Sequence, residues 1–128
     1  MENLDRFYEW SALVLAWLYE KFPTPTALHH GDLKSSPDPV IAERTMRYTV
    51  VFLEEEGFIR FAEFKPPGQF AQVKLSRKGL NLLNRVPDPK NDSATLGEIL
   101  VRRVHAGGKG PFGDLVQFFL AEAEVVEG

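Results

Sequence analysis

The chain has 128 residues, of which 44% are hydrophobic and 26% are charged, which is typical of one globular domain. It contains no cysteine, which excludes disulfides, thiolate catalysis and cysteine-based metal sites. The N-terminus is acidic where a secretory signal is basic, and the apolar run over Trp10–Leu18 is too short to span a membrane. We therefore expect a cytoplasmic protein with no membrane partner.

The net charge of −3 is distributed unevenly along the chain. Residues 58–90 contain seven basic and two acidic side chains, a local charge of +5, whereas the segments on either side are acidic. This asymmetry is more informative than the total charge, because a basic patch is the electrostatic footprint of nucleic-acid binding.

The first element predicted from hydrophobic spacing is a helix over Leu4–Lys21, which ends before Pro23. Trp10 and Trp17 lie off its main apolar stripe, so one face is expected in the core and the other is available for a subunit contact. The proline-rich segment that follows leaves room for at most a short helix or strand around Thr26–Leu33.

A second long helix is predicted to begin at Asp38, a good N-cap, with Pro39 at the first helical position. Its inner face is predicted to carry Met46, Val50 and Leu53. Glu54–Glu56 end the helix, and Gly57 supplies the left-handed residue that redirects the chain.

Two strands are predicted next, over Phe58–Phe64 and Phe70–Leu75, joined by a loop over residues 65–69. Phe64 and Phe70 flank this loop and are expected to pair across the hairpin. Ser76 is predicted to cap a third helix, whose apolar residues are Leu80, Leu82, Leu83 and Val86.

The C-terminal part follows a polar linker that begins at Pro87. A fourth helix over Leu96–His105 is capped by Thr95 or Ser93, and a last helix runs from Gly113 or Asp114 to about Val125. We expect a domain over residues 1–90, including the N-terminal helix, and a two-helix extension over residues 91–128 that packs on the same core.

Two stretches carry a family resemblance. Phe52–Ile59 resembles the helix-to-wing junction of winged-helix regulators of the MarR and PadR groups, and Val73–Leu80 is similar to the element that closes the wing in those proteins. The resemblance covers roughly residues 40–86. It implies a mainly α fold with a two- or three-stranded antiparallel β wing, a winged helix extended by C-terminal helices, in which Gly57 and Gly79 serve backbone geometry.

The resemblance also implies a bacterial transcriptional regulator that binds double-stranded DNA and dimerises through its terminal helices. Phe112, Phe118, Phe119 and Leu120 offer an apolar surface for such a homodimer. Two features depart from the pattern: a proline-broken loop replaces the second helix that normally supports the recognition helix, and three glutamates stand at the root of the wing.

The candidate nucleic-acid contacts are polar residues on the long helix, on the wing and behind it. On the helix they are Arg44, Thr45, Arg47, Tyr48 and Thr49, predicted to lie outside the inner face. On and behind the wing they are Lys65, Gln69, Lys74, Arg77 and Lys78. Arginine suits guanine edges and phosphates, and the lysines suit the duplex backbone.

Metal binding, phosphate binding and catalysis have little support in the sequence. His29, His30 and Asp32 are poorly spaced for a metal, and Ala106–Gly110 lacks the spacing of a phosphate loop and is expected to be an interhelical turn. No serine lies in a nucleophile motif, so we expect no enzyme and no cofactor.

Two interpretations stay open: a DNA-binding winged helix, or a winged helix that binds proteins. A positive strip over helix and wing favours the first, and a strip interrupted by glutamates favours the second.

Overall fold

A computed structural model describes residues 2–107 and 111–127 of the chain. These residues form a mainly helical fold with a small antiparallel sheet, as predicted. The elements are α1 (Glu2–Lys21), β1 (Thr26–His29), α2 (His30–Leu33), α3 (Pro39–Glu55), β2 (Ile59–Arg60), β3 (Glu63–Lys65), β4 (Gln69–Leu75), α4 (Arg77–Leu83), α5 (Leu96–His105) and α6 (Gly113–Glu127). No helix in the described ranges is long and apolar enough to cross a bilayer.

The sheet is built around β4. Strand β1 pairs with one edge of β4, and β2 and β3 pair in succession with its other edge, all antiparallel. Because β2 and β3 are two pieces of one hairpin arm, the sheet is in effect three strands wide. This order, with α1, a one-turn α2 and a long α3, is that of a winged helix, and the expected fold class is confirmed.

The hairpin differs from prediction at Phe61. A continuous strand over Phe58–Phe64 was expected, yet the arm is interrupted between β2 and β3. The rings of Phe61 and Phe64 both pack on the ring of Phe70, at centroid distances of 4.9 and 4.8 Å. Residues three apart point to opposite faces of a regular strand, so this shared contact requires a break. The predicted pairing of Phe64 with Phe70 is confirmed.

Strand β4 contains a bulge that sequence patterning did not indicate. Gln72 has a φ of 55°, and the pairing with β1 shifts register there. The bulge inserts one residue, so Phe70 and Val73, three apart, both face the core. Leu75 then resumes the ordinary alternation and is also buried.

Helix α1 lies at the centre of the molecule. Every residue from Trp10 to Ala16 is buried, because α3, α5 and α6 all pack around this helix. Trp17 is half-buried and its indole N–H donates to the Thr26 hydroxyl at 3.4 Å. The face that was expected to be available for a subunit contact is therefore largely covered within the same chain.

The C-terminal helices also differ from the expectation of an open apolar surface. Phe112 and Phe119 are buried, and the Phe119 ring packs edge-on to Phe58 with a centroid distance of 4.7 Å. Phe118 and Leu120 are half-buried. These side chains pack on the core of the chain itself, and dimerisation stays a prediction.

The junction between α3 and the wing is tightly built. Gly57 has a φ of +84°, and a Cβ at Gly79 would overlap the carbonyl oxygen of Phe58. The Ser76 hydroxyl accepts from the backbone N–H of Gly79 at 3.1 Å and donates to the carbonyl of Gly57. The predicted backbone roles of both glycines and the predicted cap are confirmed.

The linker and α5 follow the prediction closely. Thr95, not Ser93, caps α5, and it forms a reciprocal capping box with Glu98. Val86 was expected in the apolar set of α4, but it lies beyond the end of that helix and is 36% exposed, so its predicted burial is wrong. Helix α4 ends at Leu83, and Asn84 at its C-cap accepts from the Tyr19 hydroxyl at 2.7 Å.

Candidate functional site

The outer face of α3 is the first place to look for a site. The Asp38 side chain accepts from the backbone N–H of Ile41 at 3.2 Å and so fixes where the helix begins. Val40, Arg44 and Tyr48 follow at intervals of four residues and share the exposed face. Tyr48 is 61% exposed, which is unusual for so large an aromatic side chain.

The two threonines of the predicted readout group do not lie on this face. Thr49 is 3% exposed, so its predicted placement outside the inner face is wrong. It is three residues after Met46 and four before Leu53, which puts it on the buried stripe with both. Thr45 is half-buried at the edge of the outer face.

Arg47 is held by its neighbours on the helix. Its Nε donates to the Glu43 carboxylate at 3.0 Å, and its guanidinium lies 4.8 Å from the centroid of the Tyr48 ring. The hydrogen bond with Glu43 raises the pKa of Arg47 above its ordinary value. This guanidinium is therefore already partnered by a carboxylate.

The tip of the wing packs on the side of α3 that carries Glu43. A Cβ at Gly68 would come within 2.5 Å of Cγ of Glu43, so the wing tip packs directly on that side chain. Lys65 and Gln69 are paired across the hairpin, and the Lys65 ammonium lies 3.7 Å from the Glu63 carboxylate. Two of the cations expected to form a positive strip over helix and wing, Arg47 and Lys65, thus have a carboxylate within ion-pair distance.

The remaining predicted contacts lie at the other end of β4. Lys74 and Arg77 line one depression with Arg60, a residue that sequence reasoning did not include in the site. The Lys78 ammonium donates to the Glu56 carbonyl at 3.1 Å and lies 4.9 Å from the centroid of the Phe58 ring. The ten predicted residues are therefore distributed over α3, the wing tip and the α4 end of the sheet.

Between α1 and α3 lies a groove of about 590 Å³ that sequence reasoning missed. Leu4 and Phe7 of α1 form one wall, and Tyr48 and Phe52 of α3 form the other. The rings of Phe7 and Phe52 meet edge to face with a centroid distance of 5.3 Å. Leu4 and Phe52 remain 42% and 38% exposed. The signal available in the sequence was Phe52, a large apolar residue four positions after Tyr48 and so on the same face of α3.

Both charged residues of the groove are arginines, Arg6 and Arg44, and no carboxylate lines it. Arg6 donates to Glu2 at 2.6 Å within α1. Arg44 is exposed and makes no ion pair among the described residues. The groove therefore combines apolar walls with two positively charged side chains.

The histidine pair has a local structural role. The backbone N–H of Gly31 donates to the His29 ring nitrogen at 3.1 Å, which caps the single turn of α2. The rings of His29 and His30 lie 4.4 Å apart. Among residues 2–107 and 111–127, no group of three histidine or acidic side chains is arranged to hold a metal. The predicted interhelical turn falls partly on residues 108–110, which lie outside the described residues.

Comparison with known proteins gives no assignment for this chain. No protein-family model, no curated protein and no solved structure matches it significantly. The similarity to MarR and PadR regulators thus rests on the two stretches of sequence described above, and function has to be argued from the site.

Proposed function

We propose that this chain is a protein-interaction module that binds a partner in the groove between α1 and α3. One observation carries the proposal: Leu4, Tyr48 and Phe52, three of the seven exposed large hydrophobic side chains among the described residues, share this groove. Exposed apolar side chains gathered in one concave place, with polar residues around them, mark an interaction surface.

The chemistry of the groove indicates the partner. Tyrosine and arginine are enriched among the residues that dominate binding energy at protein interfaces. Tyr48 offers a large exposed ring, and Arg44 and Arg6 place positive charge beside it. A complementary ligand is a protein segment that presents apolar side chains to the groove and a carboxylate to Arg44.

Nucleic-acid readout by α3, the other interpretation of the sequence, has weaker support. Arg47 and Lys65 each have a carboxylate nearby, and Glu54–Glu56 are exposed at the end of the helix. A duplex attracts cations that are free to replace its counterions. Arg44 alone among the α3 candidates is a cation without an ion pair in the described residues, so regulation of transcription is the second candidate function.

The test begins with short random peptides displayed on phage and selected against the purified chain. The proposal predicts that the recovered peptides combine large apolar residues with Asp or Glu. Their affinity is expected to fall about tenfold or more with Tyr48→Ala and with Arg44→Ala, since truncation of an interface hot spot costs at least that much.

Lys90→Ala is the matched control, because it also removes an exposed cation but lies outside the groove. Peptides that bind equally well to the Tyr48 and Arg44 variants contradict the proposal. Duplex DNA is titrated in parallel over a salt series. Affinity that falls steeply with salt and depends on Arg44 supports the second candidate instead.

A further inference from the structure

A second depression lies at the other end of the sheet, where β4 ends beside β2 and α4 begins. Its volume is about 480 Å³, within the range of small-ligand sites. Three cations line it: Arg60 from β2, Lys74 from β4 and Arg77 from the first turn of α4. No aspartate or glutamate contributes to its lining.

The pairing of the strands forces two of these charges together. Arg60 and Lys74 are directly opposite each other in the antiparallel register, and both are exposed. Like charges at opposed positions of a strand pair destabilise it. An anion bound between the two side chains removes that repulsion.

These three cations differ from most others in the described residues. Arg47, Arg85 and Arg102, for example, each lie within 3.3 Å of a carboxylate oxygen. The side chains of Arg60, Lys74 and Arg77 make no ion pair, hydrogen bond or ring contact with any described residue. Three cations whose side chains have no partner among the described residues therefore meet in one depression whose lining contains no carboxylate.

The other side of the depression is apolar. Phe22, which is 37% exposed, and Leu80, which is half-buried, line it together with Pro23. A ligand that fills the whole depression must carry negative charge at one end and a flat or apolar group at the other.

We propose that this depression binds a nucleotide unit, with its phosphate held by Arg60, Lys74 and Arg77 and its base against Phe22. Arginine and lysine bind phosphate through charge-assisted hydrogen bonds, and an aromatic ring is a stacking platform for any base. The nucleotide comes either as a free mononucleotide or as part of a single strand. This inference is independent of the protein-binding groove, which shares none of these residues.

The test is equilibrium binding of three probes to the full chain: ATP, inorganic pyrophosphate and a short oligo-dT. All three are expected to bind at low salt and to weaken about tenfold with Lys74→Ala or Arg60→Ala, as for loss of one charge-assisted contact. Lys90→Ala, which removes a cation outside the depression, is the matched control and is expected to leave all three affinities unchanged. If no probe binds, or if the control weakens binding as much as Lys74→Ala, the proposal is overturned.

Phe22→Leu separates a nucleotide from a simple anion. The substitution keeps an apolar side chain but removes the aromatic ring. The affinities for ATP and oligo-dT are therefore expected to fall about tenfold, while the affinity for pyrophosphate is unaffected. Equal binding of ATP by this variant and the parent chain contradicts the nucleotide assignment. Tighter binding of oligo-dT than of ATP identifies a nucleic-acid strand as the source, and the reverse order identifies a free nucleotide.

Discussion

The junction between α3 and the wing and the outer face of α3 are neighbouring regions of the molecule with opposite properties. At the junction, Ser76 bonds to Gly57 and Gly79, and the backbone of Phe58 fills the space a side chain would need at Gly79. On the outer face, Tyr48 is exposed and Arg44 lacks an ion pair in the described residues. At the junction, the hydrogen-bonding groups of Ser76, Gly57 and Gly79 are paired with one another, which fixes the local fold. The outer face instead presents its side chains to solvent.

The largest effect is expected from Gly79→Ala, which breaks the junction. The added methyl group meets the Phe58 carbonyl, which is backbone and cannot give way cheaply. We expect the free energy of unfolding to fall by about 3 kcal/mol, at the upper end for overpacking, in urea denaturation.

Gly57→Ala is the comparison for that experiment, because nothing lies within 4 Å of a Cβ there and only the left-handed φ of +84° is unfavourable. Its expected cost is about 1 kcal/mol. Equal costs for the two substitutions would mean that close packing at Gly79 is not what limits the junction.

Ser76→Ala is expected to have the next largest effect. It removes the cap of α4 and leaves the Gly57 carbonyl without that donor, at a cost of about 2 kcal/mol. Thr95→Ala, at the more exposed cap of α5, is expected to cost about 1 kcal/mol in the same assay. A larger loss for Thr95→Ala contradicts the view that the wing junction is the more constrained of the two.

Tyr48→Ala tests the outer face of α3. Because Tyr48 is 61% exposed, we expect the free energy of unfolding to change by no more than about 0.5 kcal/mol, while affinity for groove-selected peptides is lost. Thermal denaturation and peptide titration of the same variant check both parts. A destabilisation as large as that of Ser76→Ala indicates a structural residue.

The smallest effect expected is on acid stability. The backbone N–H of Ala94 lowers the pKa of Asp92, and the backbone N–H of Thr95 lowers the pKa of Glu98. A carboxyl with a lowered folded-state pKa stabilises the fold above its unfolded pKa of about 4 and loses that contribution as pH falls through the folded value.

Asp92→Asn with Glu98→Gln is therefore expected to reduce the loss of stability between about pH 5 and pH 2. The Ser76 hydroxyl bonds only to neutral backbone groups, so Ser76→Ala is expected to leave the slope of stability against pH unchanged. Denaturation curves across this range decide the matter, and an unaltered slope in the double variant contradicts the assignment.

The junction was more predictable from sequence than the outer face, for a physical reason. The turn at Gly57 and the helix caps formed by Ser76 and Thr95 involve residues within a few positions in the chain, so capping and turn rules locate them. The bulge at Gln72 appears in the pairing of β4 with the distant strand β1, and the break at Phe61 accompanies the packing of two rings on Phe70. Local rules contain neither contact.

The candidate site was harder still. The groove pairs Leu4 and Phe7 with Phe52, about 45 residues along the chain, and only the packing of α1 on α3 brings them together. Likewise, charge counting identified residues 58–90 as basic. It did not indicate that Glu43 forms an ion pair with Arg47, or that strand register places Arg60 opposite Lys74.

The most direct test of the groove as a protein-binding site is photo-crosslinking in the cells that produce the protein. A photoreactive amino acid replaces Tyr48 in one variant and Lys90 in another. We predict that position 48 crosslinks to a protein segment rich in apolar and acidic residues, that Phe52→Asp abolishes the product, and that position 90 does not form it. Crosslinking of position 48 to nucleic acid, or to the same proteins as position 90, would contradict the account.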